Sequence, residues 1–252
     1  MPPTLKRKLS QGQFAIGTWV TFADPACMEI LSAAGFDFLL IDAEHALIGP
    51  ETLRDLLIAG KDSPASLIVR VPWNDPVRIK IVLDLGADGI MAPMVNSADE
   101  ARLAVAACKY PPEGIRSVGA WRPSRYYLDG DDYVRRANAE TTVIVQIEHR
   151  RAVEALDEIL KVPGIDAFFI GPADLSASLN HLADSGHPDV QATIERIFAA
   201  CRSAGVAFGM DGDDPKRLAG LGARLFTAGI DTWFLANGAM TAAAEVRAAL
   251  GL

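Results

Sequence analysis

Phe38-Leu39-Leu40-Ile41-Asp42-Ala43-Glu44-His45 is the stretch that decides the fold. Its apolar run has no polar alternation, so it reads as a strand covered on both faces, the condition of a parallel sheet. It ends on Asp, Glu and His, groups that are costly behind a buried strand unless paired or used. The cadence recurs along the chain. Phe14 to Val20, Leu67 to Val71, Gly89 to Met94, Val143 to Glu148, Ala167 to Ile170, Val206 to Met210 and Leu225 to Gly229 read as further strands beside Phe38 to Ala43.

Between them lie segments of helical spacing: Pro25 to Ala34, Pro50 to Ala59, Pro76 to Leu85, Ala98 to Cys108, Arg151 to Leu160, Val190 to Ala204, Pro215 to Leu221 and Thr232 to Leu250. Asp24-Pro25, Asp75-Pro76 and Asp214-Pro215 place a capping acid before a proline suited to the first helical position. Gly35, Gly60, Gly86 and Gly205 mark helix exits. This alternation predicts an α/β fold, a closed (β/α)8 TIM barrel. An open doubly wound sheet is the competing arrangement, but no GxGxxG follows the first strand to support its nucleotide-binding form. No linker divides the chain, so residues 1–252 are expected to form one domain. The longest aperiodic stretch, Pro111 to Asp132, reads as a βα excursion and hence a functional loop, with Trp121, Arg122 and Arg125 as possible pocket residues.

Composition narrows the function. Half of the 252 residues are apolar, 22% are charged, and the formal net charge is −8. That balance disfavours nucleic acid or an anionic membrane as partner, yet leaves small anionic substrates open. Cys27, Cys108 and Cys201 have neither CxxC spacing nor an even count, which fits reduced thiols and no thiolate zinc site. Lys6, Arg7 and Lys8 precede a polar stretch, not an apolar one, so no signal peptide is read and the cytoplasm is the expected location.

In a barrel the carboxyl ends of the strands carry the chemistry. Here they present Asp42, Glu44 and His45, then Arg70, then Gln146 and Glu148, then Gly171-Pro172-Ala173-Asp174. Glu148 and Asp174 come from adjacent strands. Either alone reads equally well as a helix cap, but together they form a hard-cation site of the Mg²⁺ or Mn²⁺ kind. His45 is a candidate general base, the alternative being a structural histidine. His149, His181 and His187 look like surface or turn positions. Arg70 is either a salt-bridge partner or a fixed cation for a ketoacid or enolate oxygen. The turn at Gly171, Pro172, Ala173 and Asp174 offers free amides to a carboxylate. The lysines fall at the N-terminus, on helices or in the opposite connections, none placed for imine chemistry.

Those strand ends, with Val69-Arg70-Val71-Pro72, Tyr110-Pro111-Pro112-Glu113-Gly114-Ile115-Arg116, Val145-Gln146-Ile147-Glu148 and Phe169-Ile170-Gly171-Pro172-Ala173-Asp174-Leu175-Ser176, resemble the HpcH/HpaI aldolase family. The likeness is to its branch of 4-hydroxy-2-oxo-heptane-1,7-dioate and 2-keto-3-deoxy-L-rhamnonate aldolases, and it runs from about Leu5 to the last helix. The resemblance implies a phosphoenolpyruvate/pyruvate-type barrel and a class II aldolase cleaving 4-hydroxy-2-oxoacids to pyruvate and an aldehyde. It implies Mg²⁺, Mn²⁺ or Co²⁺ on Glu148 and Asp174, Arg70 on the keto or enolate oxygen, and amides near Ala173 and Asp174 on the carboxylate. It further implies proton transfer at His45, with Asp84, of the same chain or of a neighbouring subunit, orienting that histidine. A homohexamer, a trimer of dimers exchanging the helix at about 232–250, is the expected assembly.

One departure bears on the acceptor. Met210-Asp211-Gly212 lies at a strand end expected to border the aldehyde, with Trp19 as a further lining residue. An acid at Asp211, where some relatives are apolar, is expected to alter acceptor choice toward hydroxylated aldehydes. The competing readings are an acyl-CoA lyase of the malyl-CoA or citramalyl-CoA type and a non-catalytic ketoacid-binding barrel.

Overall fold

Parallel ladders join each strand to the next and the last to the first, so the sheet closes on itself. The computed structural model describes residues 4–129, 131–212 and 214–252. The strands are β1 (Ala15–Val20), β2 (Phe38–Asp42), β3 (Ser66–Arg70), β4 (Gly89–Ala92), β5 (Thr142–Ile147), β6 (Ala167–Ile170), β7 (Phe208–Asp211) and β8 (Leu225–Ile230). The helices are α1 (Leu5–Ser10), α2 (Pro25–Ser32), α3 (Pro50–Ala59), α4 (Pro76–Asp84), α5 (Ala98–Cys108) and α6 (Asp132–Glu140). They continue with α7 (Arg150–Glu154), α8 (Leu156–Ile159), α9 (Pro172–Ser178), α10 (Pro188–Ala204), α11 (Pro215–Gly220) and α12 (Asp231–Leu250). The (β/α)8 barrel expected from the strand cadence is present. Asp24, Asp75 and Asp214 accept hydrogen bonds from the amides they were expected to cap.

Side chains alternate across each strand, and the core therefore comes in two parts. Leu39, Ile41, Val69, Val145, Ile147 and Ile170 face outward and pack with the surrounding helices. Trp19, Phe38, Leu40, Ile68, Ile144, Phe169 and Leu225 fill the lumen. The same period carries the lumen face onward to Asp42, Arg70, Gln146, Asp211 and Thr227, so the filling turns polar toward the carboxyl ends. At the opposite end α1, a helix the sequence reading lacked, acts as a plug. Leu5 and Leu9 join the lumen cluster, Lys6 pairs with Asp166 at 2.8 Å, and Lys8 pairs with Asp37. Burying each leucine stabilises by about 1.5–3 kcal/mol.

The stretch from Pro111 to Asp132 corrects an expectation. It follows α5, so it is an α-to-β connection on the plugged rim, not an excursion beside the strand carboxyl ends. Arg122 donates to the Leu57 and Leu85 carbonyls at 2.7 and 2.6 Å, satisfying carbonyls at the ends of α3 and α4. Within one chain, Trp121, Arg122 and Arg125 therefore belong to the far rim. The span expected as one helix from Arg151 to Leu160 is two short helices meeting at Ala155.

α12 differs from the other helices. Its only buried residue is Asp231, which accepts from the Thr21 and Phe22 amides at 2.7 and 2.8 Å and ties the end of β8 to the chain after β1. Beyond it Trp233, Leu235, Met240 and Val246 are all exposed by 60% or more.

Gly209 sets the spacing of β7 and β8, because a Cβ there would overlap the Leu225 carbonyl. Gly220, at the end of α11, has open space around it. Gly209→Ala should therefore cost about 2 kcal/mol or more in thermal or urea unfolding. Gly220→Ala should be neutral or stabilise by about 0.5–1 kcal/mol.

Candidate active site at the carboxyl end of the barrel

Asp42, the last residue of β2, is buried and takes a bidentate pair of bonds from Arg70 of the neighbouring β3. Arg70 Nε donates to Oδ1 at 2.9 Å and Nη2 to Oδ2 at 2.8 Å. The strand register makes this pair, since Asp42 lies opposite Arg70. Asp42 Oδ1 also accepts from the amides of Glu44 and His45, at 3.1 and 3.3 Å, and so shapes the turn after β2. The face of Trp19 lies 4.3 Å from the guanidinium carbon. Burial opposes charge on Arg70, but the bonds and attraction of Asp42, with Glu44 and Glu148, hold its pKa above the ordinary value.

Glu148 follows β5 and is buried. The Met94 amide donates to its Oε1 at 2.7 Å, and Gln146 Nε2 donates to its Oε2 at 3.0 Å. Met94 takes a left-handed backbone to do so, φ 53°, a conformation that costs an L residue about 1–2 kcal/mol. Gly171 lets Glu148 approach, because a Cβ there would collide with the carboxylate. Burial pushes the Glu148 carboxyl up to about 7; Asp174 and Glu44 add to this, while the Met94 amide and Arg70 oppose it. Asp174 stands in the first turn of α9, behind Gly171 and with Pro172 and Ala173 ahead of it.

Glu44 joins this group. Its Oε2 lies 3.3 Å from Arg70 Nε and 3.8 Å from His45 Nε2, yet this buried oxygen accepts no hydrogen bond. Burial raises its pKa, with Arg70 and His45 pulling the other way. The His45 side chain is 64% exposed, open to the mouth. Gln146 Oε1 is likewise buried without a partner. Unpartnered buried acceptors beside carboxylates fit a divalent cation, which would add positive charge there.

The structure thus brings together Asp42, His45, Arg70, Gln146, Glu148 and Asp174. Asp84 is not with them in the same chain. It ends α4 on the plugged rim, bound to Arg116 Nη2 at 2.7 Å. Asp211 is at the mouth, but its Oδ1 accepts from Trp19 Nε1 at 2.8 Å and from the Thr227 hydroxyl. Thr227 and the Met94 amide were missed from sequence. Thr227 was findable, since it sits two residues after the apolar Leu225 and so shares its lumen face; a backbone amide carries no sequence signal. Away from the mouth, the His181 and His187 rings stack at 3.5 Å. His187 Nδ1 accepts from the Asp189 amide at 3.2 Å, capping α10.

Residues 15–238 match the family described as HpcH/HpaI aldolase/citrate lyase. A 4-hydroxy-2-oxo-heptane-1,7-dioate aldolase of Salmonella paratyphi C (strain RKS4594) is 46% identical over 250 residues, covering 97% of this chain and 95% of that protein. A solved HpcH/HpaI aldolase/citrate lyase family protein from Burkholderia cenocepacia J2315 superposes with a TM-score of 0.92 at 36% identity, covering 96% and 98% of the two chains. The solved citrate synthase SbnG gives 0.88 at 29% identity, with 99% of both covered. Likeness that runs unbroken from the first strand into the last helix makes this chain a member of the HpcH/HpaI aldolase/citrate lyase family.

Proposed function

We propose that Glu148 and Asp174 hold a divalent cation and that the chain works as a class II aldolase on 4-hydroxy-2-oxoacids, releasing pyruvate and an aldehyde. The observation that carries the reading is the gathering of acids around Arg70, with Glu148 raised to about 7 by burial and by its acidic neighbours. The cation supplies Lewis-acid polarisation of the 2-oxo group and countercharge for the enolate. Arg70 is held by Asp42 and Trp19 through its Nε, Nη2 and ring-facing side, which leaves Nη1 for the keto or enolate oxygen. Such a preset donor stabilises charge as it develops in the transition state. The first-turn amides of Ala173 and Asp174 receive the substrate carboxylate, and Gln146 braces Glu148.

In cleavage, His45 takes the proton of the C4 hydroxyl. The C4 oxygen forms the aldehyde carbonyl, the C3–C4 bond breaks, and its electron pair passes to the enolate, which is then protonated at C3. Synthesis is the reverse. For the relative named after the heptanedioate, this chemistry yields pyruvate and 4-oxobutanoate; here the acceptor is a separate question. We infer that the chain works as one domain in the cytoplasm. Among the described residues no helix is long and apolar enough to cross a membrane.

The active form is an oligomer, a homohexamer with α12 exchanged between subunits. An isolated helix with Trp233, Leu235 and Val246 in water is poorly stable by itself. Where an eighth helix would cover the barrel, Phe14 and Ile16 are half exposed, a complementary apolar surface. Asp84 reaches a His45 only across a subunit boundary.

The function is tested by exchange of the pyruvate methyl protons in D₂O, followed by NMR. Chelator-stripped enzyme should exchange nothing, and Mg²⁺ or Mn²⁺ should restore exchange. Glu148→Ala and Asp174→Ala should lose both metal and exchange, whereas His45→Ala should keep metal but lose about 10²–10⁴-fold in aldol turnover. Exchange by stripped enzyme at the full rate would remove the cation from the reaction.

Glu148 must shed its proton to hold a cation, so affinity is present above its pKa near 7 and is lost as pH falls through it. Mn²⁺ affinity should drop about fivefold from pH 7 to 6 and about tenfold more to pH 5. Calorimetric titration showing a flat profile would move the cation away from Glu148. In sedimentation, Leu235→Glu should give a smaller species than the wild type; identical assemblies would take α12 out of the interface.

A further inference from the structure

We propose that Asp211, Thr227 and Trp19 form an acceptor subsite that reads a hydroxyl group, selecting neutral hydroxyaldehydes over aldehydes that end in a carboxylate. The inference rests on the aldolase reading and names the substrate class of the same site. Asp211 and Thr227 are register partners at the carboxyl ends of β7 and β8, both on the lumen face. The Thr227 hydroxyl and Trp19 Nε1 donate to one oxygen of Asp211, its Oδ1. Two donors on that atom fix the carboxylate plane, and its Oδ2 accepts nothing among the described residues. The Trp19 ring that holds Oδ1 lies on the Arg70 guanidinium. The free oxygen is therefore separated from the donor half of the site by one indole.

A fixed carboxylate oxygen with open lone pairs is a strong acceptor for an O–H group. It repels a second carboxylate, and Arg70, paired with Asp42 and beside Glu44, offers that group little countercharge. Bracing Trp19 requires only Oδ1, so the second oxygen is available for recognition. An aldehyde carrying a hydroxyl one or two carbons from its carbonyl can place that group at Oδ2 while the carbonyl faces the enolate carbon. A purely apolar aldehyde leaves the carboxylate without its partner, and an anionic one meets like charge.

The experiment measures kcat/KM with pyruvate and Mg²⁺ for two matched pairs: 2-hydroxypropanal against propanal, and 4-oxobutanoate against its methyl ester. Ratios within one variant cancel effects on the donor half, and comparing variants cancels intrinsic reactivity. In Asp211→Leu the hydroxy-to-deoxy ratio should fall about tenfold or more from the wild-type value, the discrimination expected of a hydrogen bond to a charged group. In Asp211→Asn, which keeps shape and the Trp19 contact if Leu does not fold, the bias against 4-oxobutanoate should shrink at least about fivefold. Ratios unmoved in both variants would reduce Asp211 to a brace for Trp19 and overturn the subsite. Pyruvate exchange by the wild type separates the failures. Exchange with unmoved ratios sinks the subsite alone, whereas a wild type showing neither exchange nor turnover sinks the aldolase reading and the subsite with it.

Discussion

The bidentate pair between Arg70 and Asp42 is the contact on which the mouth of the barrel depends. Four carboxylates, from Asp42, Glu44, Glu148 and Asp174, act on one another there, and Arg70 is the guanidinium set among them. Taking a charge out of water costs several kcal/mol, and a buried pair deprived of one partner typically loses about 3–5 kcal/mol. Asp42 neutralises most of what Arg70 offers. Glu44 and Glu148 are left under-compensated, which is why burial raises both of their pKa values. Repulsion held in this way would be relieved by the cation proposed for Glu148 and Asp174. The protein tolerates it because the strands carrying the acids are fixed by ladders on both sides.

That rigidity comes from below. The lumen is filled with Phe38, Leu40, Ile68, Ile144, Phe169 and Leu225, and α1 closes its base with Leu5 and Leu9. A packed lumen cannot relax, so the strand ends that carry Asp42 and Glu148 keep the spacing their register sets. Asp174 is placed by the first turn of α9. Local strain is spent where it positions a donor. The left-handed Met94 aims its amide at Glu148, and Gly171 clears the space that the same carboxylate occupies. Trp19 links the two halves of the mouth, one edge bonded to Asp211 and one face against Arg70.

The plugged rim and α12 belong to a different level of organisation. Arg116 is fully buried against Asp84, Tyr110 and Tyr133, which orders the long connection after α5 far from Glu148 and Asp174 of its own chain. α12 presents apolar side chains around much of its surface and buries only Asp231 against its own barrel. Both features make sense if the chain's surface is completed by another copy. Within a single subunit Asp84 serves as the ion-pair partner of the buried Arg116.

Much of this was legible in the residues. Unalternating apolar runs, proline behind capping acids and glycine at helix exits suffice for the barrel, because strand burial and helix entry are local physics. The strand-end acids, Arg70 and His45 were legible for the same reason: an ionisable residue directly after a buried strand has few bland explanations. What needed the tertiary structure was anything set by angle or by partner. Periodicity alone did not reveal α1, because its two leucines acquire meaning only from the lumen they plug. The rim of the connection from Pro111 to Asp132 is not readable from its aperiodic sequence, since its side follows from α5 preceding it and from where Arg122 finds carbonyls. Asp211 could be placed near the mouth from its strand, but only register and side-chain direction show that Trp19 and Thr227 hold one of its oxygens, the other accepting nothing among the described residues. Sequence determines which groups a strand delivers to an end of the barrel; only the closed sheet decides which of them meet, because meeting depends on the register and stagger of strands distant in the chain.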